Sequence, residues 1–182
     1  MKSCSFKKTL NRLGALVLAL CLALPVTAFA AAPGVSTESA LRVAIENAND
    51  GDTILVDDIT FESQGVPVSI GKNLTLRSAK EHGTAIFSRA AFVLDGSEKD
   101  LDVSFDNITF YAEADALSIR DDIWSEDCEP FMPAMRFQGN VDVSLNDCVF
   151  RNYMSLEGAN LYADYSSSDA RIAINAKNCA FL

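Results

Sequence analysis

The sequence predicts an all-β chain, a stack of about four β-coils closed at its N-terminal end by one α-helix. Three observations predict it. A ten-residue apolar pattern recurs along the chain, it changes phase at the same internal place each time, and one narrow amphipathic stretch precedes all the strand-like sequence.

In chain order, residues 1–30 read as an export signal. Lys2, Lys7, Lys8 and Arg12 give a basic start, Leu13 to Leu24 an apolar run, and Ala28-Phe29-Ala30 a small-x-small cleavage site. The apolar run is too short to span a bilayer and no later segment approaches the length needed, so no membrane span is expected. A lipid-attachment box around Leu18-Ala19-Leu20-Cys21 is the weaker reading, because such boxes favour a small residue before the Cys. The expectation is a secreted or cell-surface bacterial chain, cut after Ala30 and leaving one domain over 31–182.

Charge and cysteines bound the partners. The whole chain carries 15 Lys/Arg, 25 Asp/Glu and a formal charge of −10. Residues 1–30 hold four of those cations and none of the acids, so the remainder has 11 against 25, a charge of −14. Such a balance disfavours nucleic acid and anionic membranes, which recruit basic patches. Cys4 and Cys21 leave with the signal; Cys128, Cys148 and Cys179 remain, without zinc-ligand spacing.

The capping helix is expected over about 37–49. Leu41, Ala44, Ile45 and Ala48 fall at i, i+3, i+4 and i+7, one narrow apolar stripe. Ser36 or Thr37 can cap the start, Glu38 suits the first turn, and Asn49-Asp50-Gly51 supplies a stop. A coil stack has an exposed first rung, which one amphipathic helix would cover.

The repeat follows. "LDVSFDNITF" (101–110), "VDVSLNDCVF" (141–150) and "IAINAKNCAF" (172–181) align without gaps, and "VPVSIGKNLTL" (66–76) aligns with one extra residue. Leu101, Val103 and Phe105 alternate, then Ile108 and Phe110 alternate in the opposite phase. Strand side chains alternate with period two, so both sets face one core only if the chain turns a corner between them. The corner's second residue is Asn107, Asp147 or Asn178, with Asn73 in the fourth copy, and Asn and Asp tolerate the left-handed backbone of a sharp bend. Corner spacings are 34, 40 and 31 residues. Phe110, Phe150 and Phe181 should then stack beneath Leu76. Asn73-Leu74-Thr75 and Asn107-Ile108-Thr109 also match the N-glycosylation pattern, but are read as corners.

"LRVAIENANDGDTILV", "VSIGKNLTLRS" and the repeated corners together resemble right-handed parallel β-helix proteins of the pectin-lyase-like superfamily, from about Leu41 to Phe181. The resemblance implies a right-handed parallel β-helix, a solenoid whose corner Asn side chains stack as a ladder: Asn73, Asn107 and Asn178, with Asp147 a departure. That superfamily includes polysaccharide lyases, polygalacturonases and adhesin-like surface proteins, so it implies a fold and leaves function open.

Candidate sites stand beside plainer readings. Asp121, Asp122, Glu126, Asp127 and Glu129 offer the oxygen ligands calcium prefers, against a merely solvated acidic loop. Trp124, the only Trp, would stack on a sugar if outward or anchor its loop if inward. Cys148 and Cys179 share an inward column, as a disulfide or, the favoured expectation, as free buried thiols. Carboxylates around Cys128 disfavour its thiolate. His82 lies in the turn-like sequence "SAKEHGTA" with no adjacent nucleophile in sequence, so no catalytic residue is assigned.

The expected function is an exported, non-catalytic, adhesin-like protein presenting a strand wall and loops to a glycan or extracellular protein. The alternative is a carbohydrate-active enzyme, a lyase or hydrolase of acidic polysaccharide, or an N-terminal fragment of one. Catalytic relatives carry paired aspartates and basic residues on neighbouring coils, whereas Asn-Thr-Asp, Gly-His-Gly and Arg-Ile-Lys are absent here. No cofactor beyond that calcium is expected. The sequence stops on the apolar corner "NCAFL", suggesting truncation and end-to-end self-association through the last coil.

Overall fold

A computed structural model describes residues 33–62, 66–112, 133–151, 160–164 and 170–182. The signal segment, Trp124, Cys128 and the acidic set Asp121, Asp122, Glu126, Asp127 and Glu129 lie outside the described residues. Within them the chain is all-β, with strands in two wholly parallel sheets and one helix.

The helix α1 spans Glu38–Asn47. The strands are β1 (Asp52–Val56), β2 (Ile59–Thr60), β3 (Val68–Ile70), β4 (Leu74–Ser78), β5 (Ala85–Ser88) and β6 (Phe92–Asp106). They continue as β7 (Ile108–Tyr111), β8 (Met135–Asn146), β9 (Val149–Arg151), β10 (Leu161–Asp164), β11 (Ile172–Lys177) and β12 (Ala180–Phe181). The larger sheet runs β1-β4-β6-β8-β10, with β3 also on β6 and β11 also on β8; the smaller runs β2-β5-β7-β9-β12. The chain alternates between the sheets. Each pass through the larger one has two halves: β3 then β4, the two ends of β6, the two ends of β8, β10 then β11.

Inward side chains stack row upon row. Leu74, Val103, Val143 and Ile174 form one column, and Leu76, Phe105, Leu145 and Ala176 another. In the smaller sheet Ile59, Phe87, Phe110, Phe150 and Phe181 are in register. The Phe110 and Phe150 rings stack at 4.7 Å and 6°, Phe150 and Phe181 at 4.9 Å and 5°. Phe87, Phe105, Phe110 and Phe150 are fully buried, each contributing about 1.5–3 kcal/mol through lost contact with water.

In the first row α1 precedes β1 as β3 precedes β4 in the next. The Thr37 hydroxyl accepts from the Ala40 N–H at 3.2 Å, capping the helix start. Leu41 and Ile45 are buried in the common core. The last turn has no cation of its own. Lys72 supplies one, its Nζ donating to the carbonyls of Glu46 (2.5 Å) and Ala48 (2.9 Å), which complements the helix dipole. Arg42, held by Glu38 at 2.7 Å, donates to the carbonyls of Val66 and Pro67 just ahead of β3. Val35 bridges Val56 along the outer edge of β1.

The register corrects one expectation. Asn107, Asp147 and Asn178 have φ of 59°, 54° and 56° and mark the corner between the sheets. Asn73 is not at this corner and has no left-handed backbone. Leu74 pairs with Val103 and Leu76 with Phe105, so Asn73 opens the second half of a row and Leu76 does not cover the Phe column. The segment equivalent to the Asn107 corner is Gly83-Thr84-Ala85-Ile86-Phe87, since Ala85 pairs with Ile108 and Phe87 with Phe110. Gly83, at φ +119°, supplies the bend there, and the Asn107 amide donates to its carbonyl at 2.6 Å. Side-chain bonding along the corner therefore runs from Asn178 to Asp147 (3.0 Å) and from Asn107 to backbone.

Candidate binding face

The second halves of the larger sheet present a regular outward surface. Thr53, Thr75, Ser104, Ser144 and Asn175 lie in register, one per row over five successive rows. Parallel strands sit about 4.8 Å apart, so this line is about 19 Å long. None of these five side chains hydrogen-bonds within the described residues. Their hydroxyl and amide groups are open to a ligand or to water.

The flanking columns are charged and hold one ion pair each. On one side Asp102 stacks over Asp142, and the Arg171 guanidinium grips Asp142 with two parallel bonds of 3.0 and 2.8 Å. That fork-on-fork pairing is the geometry in which Arg and carboxylate bind best. It raises the Arg171 pKa through the hydrogen bonds, then through the charge of Asp142. On the other side Arg77 donates to Asp106 at 3.0 and 3.1 Å, and the Asn146 amide donates to the same carboxylate at 2.8 Å. Lys177 continues this column. Asp106 and Asp142 are thus paired with Arg77 and Arg171, while among the described residues no ion pair joins Asp102 or Lys177; the six charges sum to zero on a chain of formal charge −10.

The rows are tied together by a feature the sequence reading missed. Where three of the rows pass from their first half to their second, an Asx side chain accepts from the backbone of the next row, and in the β6 row Asp100 accepts from the Asn140 side-chain amide at 3.0 Å. Asp50 Oδ1 accepts from the Asn73 N–H (2.9 Å), Asn73 Oδ1 from the Asp102 N–H (2.9 Å) and Asn140 Oδ1 from the Arg171 N–H (3.0 Å). Asp50 also holds Lys99 Nζ at 2.7 and 2.8 Å, and the Lys99 and Asn73 hydrogen bonds lower its pKa. The only signal for this column is an Asx residue one or two positions ahead of each second half, visible once the register is known. Gly96 and Gly139 stack at the same bend. A Cβ on Gly96 would lie 2.0 Å from the Asn140 carbonyl oxygen, so no side chain fits there.

Other predicted residues fall elsewhere. Cys148 and Cys179 are free thiols one row apart at the corner just ahead of β9 and β12, donating to the carbonyls of Phe105 (3.2 Å) and Leu145 (3.3 Å). Burial pushes the Cys148 thiol up to about 12, outweighing its backbone hydrogen bonds. His82 stands exposed in the turn before Gly83, apart from the face. Among the described residues no group of three His, Cys, Asp or Glu is arranged to hold a metal ion, and no helix is long and apolar enough to cross a membrane. Comparison with models of known families, with curated proteins and with solved structures finds no match to this chain.

Proposed function

We propose that the chain is an exported right-handed parallel β-helix protein, non-catalytic and adhesin-like, that presents the outer wall of its larger sheet to an extracellular glycan or protein. One observation carries the reading: an in-register line of polar side chains without internal partners, exposed at Thr53 and Asn175 and half-buried at Thr75, Ser104 and Ser144, runs across five successive rows between columns that hold two ion pairs. Surfaces that bind without turnover need regular, pre-placed donors and acceptors on rigid elements. A panel of pectic, other anionic and neutral polysaccharides and of matrix proteins, each with and without calcium, tests it. Retention without product formation is the expected result; binding to none of them refutes the reading.

A second reading rests on Asp102 and Asp142, which stack on neighbouring rows beside Arg171, the juxtaposition an acid–base pair requires. It predicts unsaturated or reducing-end products from an acidic polysaccharide, lost in Asp102→Asn.

Self-association through the C-terminal row accompanies the main reading. Phe181 is 47% exposed, Leu182 71% and Ile174 42%, and among the described residues no strand pairs the far edges of β11 and β12. Such an edge recruits a further strand. Light scattering of the mature chain should show concentration-dependent oligomers that Phe181→Lys with Ile174→Lys dissolves.

A further inference from the structure

We infer that the self-association proposed above is tail to tail: β11 pairs antiparallel with β11 of a second copy about a two-fold axis through Ile174, and the assembly closes as a dimer. This rests on the self-association reading and adds the partner strand, its register and the limit on size. In a parallel ladder alternate residues turn both backbone groups to the same side. The carbonyls of Arg171 and Lys177 accept from the Val141 and Asp147 N–H groups at 2.8 and 2.9 Å. Arg171, Ala173, Asn175 and Lys177 therefore face β8, and Ile172, Ile174 and Ala176 hold their N–H and C=O groups out along the free edge. The side chains of Ile172, Ile174 and Ala176 continue the inward columns of Val141, Val143 and Leu145.

Such an edge is complementary to itself in one register. Reversed about Ile174, Ile172 meets Ala176 of the second copy, large against small, and Ile174 meets its own counterpart. Every outward backbone group then finds a partner and every inward side chain stays on the core side. A slip of one residue would set inward side chains against outward ones, and a slip of two would leave an end residue unpaired. β11 carries no carboxylate, and Arg171 ahead of it is already bound to Asp142, so little like charge meets across the joint. The head end cannot supply the other half. The Val35 N–H donates to the Leu55 carbonyl at 2.8 Å and its carbonyl accepts from the Asp57 N–H at 2.9 Å, which occupies the outer edge of β1. Leu41 and Ile45 roof the core there, and the Glu62 N–H beyond β2 is taken by Glu38 at 2.9 Å. Tail-on-head stacking would build an open filament, whereas tail-on-tail pairing uses the same surface twice and stops at two copies.

Sedimentation velocity of the mature chain over a wide concentration range tests the size: monomer and dimer in exchange are expected, with nothing larger. Ile174→Lys sets like charges face to face on the axis and should weaken the dimer about a hundredfold or more. Val43→Lys, which replaces an exposed apolar residue on α1 at the head, should leave it unchanged. Both variants should keep the native circular dichroism spectrum. Mixing reads the register. Asn175 faces Ala173 of the second copy in a non-hydrogen-bonded pair, close enough for a disulfide. Ala173→Cys mixed with Asn175→Cys under a thiol–disulfide exchange buffer should therefore give a peptide linked between positions 173 and 175, while neither variant alone links to itself at that position. Species beyond the dimer, a dimer that survives Ile174→Lys or is lost in Val43→Lys, or a mixture without the 173–175 link overturns tail-to-tail pairing while leaving self-association in place. A monomer at every concentration removes both and leaves the wall-binding reading standing.

Discussion

If Phe110, Phe150 and Phe181 form one internal column, removing its middle member must cost more than removing its end. Phe150 is fully buried and stacked on both faces, at 4.7 Å and 6° of tilt on Phe110 and at 4.9 Å and 5° on Phe181. Phe181 is 47% exposed and is stacked on Phe150 alone. A buried Phe→Ala change costs about 3–5 kcal/mol, and each aromatic pair adds about 0.5–1.5 kcal/mol beyond its area. Phe150→Ala should therefore destabilise by about 4 kcal/mol or more, a large part of the roughly 5–15 kcal/mol a domain holds. Phe181→Ala, already half in water, should cost about 2 kcal/mol. With a urea slope of about 2 kcal/mol per molar, the midpoints fall by about 2 M and about 1 M. Phe110→Ala with Phe150→Ala should be non-additive by about 1 kcal/mol, since the shared ring contact is lost only once. Urea unfolding followed by circular dichroism reads the four variants and the unaltered chain, and an unchanged slope certifies that they unfold as one unit. Equal midpoint shifts for Phe150→Ala and Phe181→Ala, or strict additivity of the pair, would refute the column.

Further outcomes follow from the same contacts. Gly96→Ala and Gly139→Ala should each cost more than about 2 kcal/mol in thermal unfolding, because the new Cβ meets backbone at 2.0 and 2.5 Å; Gly51→Ala, which meets nothing, should cost only about 1 kcal/mol for its positive φ. Lys72→Met should uncap α1 at a cost of about 1–2 kcal/mol and speed amide exchange across residues 41–49. Burial works to raise the Asp58 pKa, but Lys80 and the Ile86 N–H outweigh it and hold the carboxyl below its ordinary value. Its folded pKa is thus below its unfolded one, so its stabilisation is present above about pH 3.9 and is lost as pH falls through the folded value; Asp58→Asn should flatten that acid limb of a stability–pH curve. Cys148, raised to about 12 by burial, should escape alkylation in the native chain at about pH 9 and react on unfolding, as peptide mass mapping would show.

The inward half of this fold was legible in the sequence and the outward half was not. Alternation exposes an inward column directly, because water excludes polar residues from it: Leu101, Val103, Phe105 and then Ile108, Phe110 can be read from one segment. The pairing offsets of 40 and 31 residues, from Val103 to Val143 to Ile174, equal the spacings read between corners. Asn73 misled because a local match to "FDNITF" carries no information about which half of a row a segment occupies. That is set by pairing with residues 29 positions away, Leu74 with Val103. The true counterpart, Thr84, was hidden because Gly83 provides the bend and no Asn is needed. The candidate face was illegible for a related reason. Thr53, Thr75, Ser104, Ser144 and Asn175 are separated by 22 to 40 residues and become a line only through the register.

Strand propensity offers a plainer account of that line, and the residues themselves weigh against it. Thr53 and Thr75 are β-branched and suit a pleated surface whatever it faces. Ser104 and Ser144 do not: serine brings no packing area to a strand and competes for backbone hydrogen bonds. Both sit in the middle rows, with Thr75 and Asn175 as neighbours on either side, and both leave their hydroxyls unused by the fold. Solubility does not require them either, since Asp102 and the ion pairs of Asp106 and Asp142 already keep this wall polar. A large side chain at Ser104 or Ser144 would cover more of the sheet and lengthen its cross-strand contacts, which are what stabilise a sheet. Small hydroxyl residues at the centre of a broad, neutral, rigid wall are what remains when the fold's demands are met by the inward columns and close approach from outside is still to be accommodated.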